Sequence, residues 1–171
     1  MDKVLSTVLL VVAAVVCVTL VINAVYPAIT SSTGALSSVS DRVNDRIRSQ
    51  IDIIHAAGEL NSSGGWTDTN SDGDFDVFVW VKNVGTEPVT DITRCDVFLA
   101  SDDNIWTWIP YVDYAGGAFP RWSYVIENGT EWGTATTLKI EIHYSSALSS
   151  GQYNVKVMIP NGVSDEYDFS M

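Results

Sequence analysis

Between Val4 and Val25 the chain runs 22 residues without a charged side chain. As an α-helix rising ~1.5 Å per residue, the segment is ~33 Å long, which suits a hydrocarbon core of ~30 Å. Ser6, Thr7, Thr19 and Asn23 are its mild interruptions. Three readings compete. A helix buried in a soluble core is seldom apolar on every face for this length. A secretory signal peptide has an apolar region of ~7–15 residues followed by a small-x-small site. Here the apolar run is longer, and Asn23-Ala24-Val25-Tyr26-Pro27 is a poor cleavage site. An uncleaved anchor, or a filament-type N-terminal helix, fits best. Lys3 flanks the segment on its N-terminal side, and the next base, Arg42, lies 17 residues beyond it. The positive-inside rule then puts the N-terminus in the cytoplasm and the bulk outside. Two Asn-x-Ser/Thr sequons agree with an outside location, with Asn61 and Asn128 as glycosylation candidates.

The helical pattern continues past the apolar run. Leu36, Val39, Val43, Ile47, Ile51 and Ile54 follow at steps of 3, 4, 4, 4 and 3, an average of 3.6 residues per step. Asp41, Arg42, Asp45, Arg46, Arg48 and Asp52 occupy the other faces. Pro27 removes one backbone donor and is a candidate kink. The pattern predicts one helix of roughly 50 residues, ~75–80 Å long, that ends between Gly58 and Gly65. Its stripe needs cover, either from the chain's own C-terminal part or from the same helix of other copies. A period of 3.6 rather than 3.5 does not indicate a long left-handed coiled coil.

The 171 residues divide chemically after Leu60. Residues 1–60 carry 5 acids and 4 bases; residues 61–171 carry 16 acids and 5 bases, so the second part holds −11 of the formal −12. All six tryptophans and all five phenylalanines lie in that second part. Such acidity argues against nucleic acid as a partner. Phe75-Asp76-Val77-Phe78-Val79-Trp80-Val81-Lys82 alternates as a half-buried strand does. Further strands are expected at 92–99, 105–109, 124–126, 137–144, 153–159 and 167–171. The expected fold is α+β: a helix over 1–60, hydrophobic and then amphipathic, followed by an antiparallel immunoglobulin-like β-sandwich over 61–171. Cys95 and Cys17 read as small buried apolar residues rather than a disulfide, because Cys17 lies in the membrane segment.

The run Asp68, Asn70, Asp72, Asp74, Asp76 places oxygen ligands at every second residue, with Gly73 at the turn. That is the start of a calcium loop. Its twelfth position is Val79 instead of a bidentate glutamate, so distant residues would have to complete it. The competing reading is an acidic turn feeding a strand. No cofactor is required by the sequence, and calcium is the one candidate. A nucleophile elbow, a His-Glu-x-x-His pair and a phosphate-binding glycine loop are all missing. His143 is expected as a surface histidine on the face of Glu141, and an enzyme is not expected. Trp106 and Trp108 share one face of a short segment, with Trp122 and Trp132 flanking the next loops. Core packing, a protein interface and a sugar platform are the open readings of these rings.

The apolar helix, its amphipathic continuation and a sandwich carrying Val81-Lys82-Asn83-Val84-Gly85-Thr86 and Ser150-Gly151-Gln152-Tyr153-Asn154-Val155-Lys156-Val157 occur together here. In this the chain resembles the archaellin-like proteins of the archaeal motility filament. The resemblance is first of all to the accessory proteins FlaG and FlaF, and more distantly to filament-forming archaellins and type IV pilins. It implies a non-enzymatic structural protein of the cell surface. Such a protein sits in the membrane through residues 4–25, or packs against like helices in a filament, and self-associates. It meets other archaellum or surface-layer proteins. The basic leader of processed archaellins is reduced here to Met1-Asp2-Lys3, which favours the anchored accessory over the polymerising subunit. An anchored carbohydrate-binding module is the third reading.

Overall fold

The computed structural model describes residues 2–103 and 105–171. It divides into two compact units, one up to Asn44 and one from Asp45 to Met171. Helix α1 runs unbroken over Asp2–Arg48, with Pro27 inside it. Hydroxyls along the helix donate back to its own carbonyls. Thr7 donates to Lys3 and Val4, Thr19 to Val16, and Thr30 to Tyr26 and Pro27. This removes their need for water or for a neighbour.

The second unit is a sandwich of eight strands: β1 (Ile51–Gly58), β2 (Phe75–Asn83), β3 (Asp96–Ser101), β4 (Thr107–Ile109), β5 (Arg121–Glu127), β6 (Thr137–Tyr144), β7 (Gln152–Met158) and β8 (Ser164–Ser170). One sheet has the order β1-β2-β6-β5 and the other β4-β3-β7-β8, with all neighbours antiparallel. Alternation dictates the core. Val77, Val79 and Val81 of β2 point inward beside Leu138, Ile140 and Ile142 of β6, and they meet Val97 and Leu99 of β3 and Val155 and Val157 of β7. Trp122 and Trp132 are fully buried, which assigns both to the core. Cys95 is buried as well, and its thiol is pushed up to about 12 by desolvation and by Asp96 beside it. Cys17 lies exposed on α1, so no disulfide joins the two.

Three expectations need correction. The helix ends at Arg48, and Ile51 and Ile54 belong to β1. The sandwich therefore begins well before residue 61. Asp52 between Ile51 and Ile53 is an alternation the helical stripe had concealed. Pairing with β2 buries Ile51, Ile53 and Ala56, whereas the rest of the stripe stays exposed. A register shift between Ile53 and His55 turns Ile54 outward. Three β-branched isoleucines within four residues prefer such a pleated, half-buried surface. Residues 92–94 of the expected strand 92–99 form a 3-10 turn instead, led by Asp91 in the left-handed region.

Candidate functional site

Among the described residues, one helix is long and apolar enough to cross a membrane. Its large aliphatic side chains are exposed from Val4 to Val25, and Leu36, Val39, Val43 and Ile47 continue as an exposed stripe. Covering one such side chain is worth about 1.5–3 kcal/mol. The four stripe residues alone therefore represent about 6–12 kcal/mol that only lipid or another protein surface can recover.

The last turn of α1 belongs to the sandwich unit and is fastened to it. Val84 and Gly85 N–H donate to the Gln50 carbonyl, and Thr86 N–H donates to that of Arg48. Arg48 pairs with Glu87 at 2.6 Å, and Arg46 donates to the Gly162 carbonyl at 3.1 Å. These contacts satisfy carbonyls that a helix end leaves open. The turn 83–86 approaches so closely that a Cβ on Gly85 would meet the Arg48 oxygen and lie 2.6 Å from the Gln50 nitrogen.

The acidic run folds into a corner over the outer face of β2, β6 and β5. Both carboxylate oxygens of Asp68 accept backbone N–H groups, from Ser71 at 2.5 Å and Gly73 at 3.0 Å. Asn70 donates to Asp72 and Asp76. Asp74 pairs with Arg121 at 2.9 Å. Asp76, fully buried, accepts from His143 Nδ1 at 2.7 Å. Strand register explains the meeting, since Asp76, His143 and Arg121 lie in one cross-strand row. Glu59, also buried, braces the other side by accepting from Thr69 N–H and hydroxyl and from Asp76 N–H.

Of the five candidate ligands, Asp72 and Asp76 converge with His143, while the Asp68 oxygens accept from their own loop and Asp74 pairs with Arg121. Glu59, Arg121 and His143 join them without having been singled out for this place. Asp72, Asp76 and His143 each bring a ligand atom within 4.8 Å of the others. The set mixes a nitrogen with oxygens, whereas calcium takes oxygen ligands. Val79, at the twelfth position, is buried in the core.

His143 is a buried residue paired with Asp76, which corrects its reading as a surface group beside Glu141. Its Nε2 lies 2.9 Å from Ser123 Oγ, so Ser123, His143 and Asp76 have the connectivity of a nucleophilic triad. The Asp76 hydrogen bond, with the charges of Asp76, Asp72 and Asp74, raises the His143 pKa against the opposing effect of burial. Through these bonds the three side chains tie β2, β6 and β5 together as a clamp. The clamp has a pH signature. A raised folded-state pKa contributes stability that is complete below the ordinary value of about 6.5 and is lost as pH rises through the raised value. Thermal unfolding of the chain in detergent micelles should show native protein losing its margin over His143→Gln as pH rises from 6 towards 9. An unchanged margin would mean that the imidazole does not change charge over that range.

The outer face of the second sheet differs. Trp106 is 40% and Trp108 52% exposed. Trp108 stands opposite Phe98, and its indole N–H donates to Asp96 at 3.0 Å. Phe98, Trp106, Lys156 and Met158 line a shallow cleft. The sequon residues both sit exposed on turns. Asn61 accepts from Ser63 and Gly65 N–H, and Asn128 has a positive φ of 61°.

No curated protein matches this chain. Among solved structures it is similar to the archaellum periplasmic stator protein FlaG from Sulfolobus acidocaldarius, at 22% identity over 71% of this chain and 99% of that one, with a TM-score of 0.54. The archaellum periplasmic stator complex of FlaF and FlaG from the same organism matches at 21% identity over 70% of this chain and 88% of that one, TM-score 0.53. The archaeal flagellum of Methanospirillum hungatei strain JF1 matches at 11% identity over 98% of this chain and 92% of that one, TM-score 0.65. At these identities the likeness is one of fold. Residues 2–169 match the archaeal-type flagellins as a family. An apolar N-terminal helix followed by a sandwich, matched by that family along nearly its whole length, makes the chain a member of the archaeal-type flagellin family.

Proposed function

We propose that this protein is a non-enzymatic structural component of the archaellum, anchored by α1 and presenting its sandwich outside the cell as a stator or accessory part. The observation that carries the reading is α1, 47 residues long with its large apolar side chains exposed. A helix of that kind must be covered by lipid or by protein. Its charge-free run from Val4 to Val25 suits lipid. The sandwich supports the accessory role, because its likeness extends over 99% of the FlaG chain. Contact with the surface layer would fall to the sandwich faces.

A second reading, a polymerising filament subunit, has its own support. The likeness to the archaeal flagellum covers α1 as well as the sandwich. The stripe from Leu36 to Ile47 also lies beyond the length a bilayer covers. Intact-protein mass spectrometry of appendages sheared from native cells, beside the washed membrane fraction, separates the two. We expect the chain in the membranes, with only traces in the sheared material. Dominance of the filaments would transfer it to the second reading, and recovery from the cytosol alone would defeat both.

A further inference from the structure

The outer face of the sheet β4-β3-β7-β8 carries the chemistry of a cation-binding surface. Trp108, Phe98 and Lys156 stand in one cross-strand row, continued on β8 by Glu166. Asp96 and Asp168 lie on the same face by alternation. Three carboxylates thus stand against one amine, and that amine is held by Glu166 at 2.6 Å. What the face offers a partner is π-surface and acceptor oxygens, both of which attract positive charge.

The other sheet shows the same combination completed from within. There Lys139 sits 4.1 Å above the Phe78 ring and 5.8 Å from that of Trp80, paired with Glu141 at 2.9 Å. Among the described residues no basic side chain lies over Trp106 or Trp108. Charge also selects the partner. A second copy would bring its own net −12 to an acidic face.

We propose that this face docks a lysine- or arginine-bearing segment of a different protein, with one cation seated on Trp106 and Trp108 beside Asp96 and a further one met by Asp168 at the opposite edge of the sheet. The inference stands whether α1 is anchored or bundled. It is tested on the full chain in nanodiscs, titrated with a ten-residue alternating Lys-Gly peptide by calorimetry at low and moderate salt. Trp106→Ala with Trp108→Ala should weaken binding at least tenfold, Asp96→Asn with Asp168→Asn comparably, and the distant charge control Glu131→Gln less than twofold. Restoring a ring with Trp108→Phe should recover part of the loss. The proposal is overturned if the tryptophan pair binds peptide as native protein does, since any acidic surface would then suffice. It is equally overturned if maltohexaose binds in a tryptophan-dependent way and the peptide does not, which would make the face a sugar platform.

Discussion

Replacing His143 by alanine is expected to destabilise the sandwich by about 3–4 kcal/mol, because it takes from the fully buried Asp76 the partner that holds it at 2.7 Å. Asp76→Ala should cost somewhat less, about 2–3 kcal/mol, since the imidazole left behind keeps its contact with Ser123. The informative quantity is the double variant. Once either partner has gone, removal of the other should cost little, so the pair should fall well short of additivity. Urea unfolding of the full chain in micelles, followed by tryptophan fluorescence, measures all four corners of the cycle. Additive losses would show that the 2.7 Å contact contributes no coupling, and that the corner is held by Glu59 and the loop's own bonds instead.

Gly85→Ala is the other large effect, expected at about 2–4 kcal/mol. The added carbon would press on the Arg48 oxygen and the Gln50 nitrogen. Both belong to backbone, which cannot swing aside as the end of a long side chain can. Relief by displacement would cost the N–H bonds of Val84, Gly85 and Thr86, each worth about 0.5–1.5 kcal/mol. Hydrogen exchange should quicken at those three amides before the β2–β6 ladder is affected. Gly34→Ala is the control. Nothing lies within 4 Å of its added carbon, and alanine in a helix should be neutral or stabilising by up to about 1 kcal/mol. Unchanged protection at residues 84–86 in Gly85→Ala would remove the close approach as a constraint.

Where neighbours along the chain decide a structure, the residues announce it. Val77, Val79 and Val81 alternate with polar and aromatic partners, and β2 forms where they stand. The strand 137–144 is found at its expected limits for the same reason. β1 was illegible because Leu36 to Ile54 keeps a helical spacing through Ser49 and Gln50, neither of which breaks a helix. The decision rests with the free edge of β2, which no local window contains. The acidic corner divides along the same line. Asp68 to Asp76 are visible as a spacing, but His143 reaches Asp76 from 67 residues away. Glu59 and Arg121 likewise arrive only through tertiary pairing. Trp106 and Trp108 were visible as one face, while parity could not say that Trp122 and Trp132 fill the interior.

The fastening at the end of α1 sets how a pull on the helix is received. Tension reaching Arg48 and Gln50 divides among three main-chain bonds to residues 84–86 and the Arg48–Glu87 ion pair, while Arg46 passes a share to the turn at Gly162. These links bear load in parallel, so none is first in line to fail. They lead into two different loops, 83–87 and the β7–β8 turn, and so into both sheets. A tug on α1 is therefore shared across the sandwich and does not peel β1 from its edge.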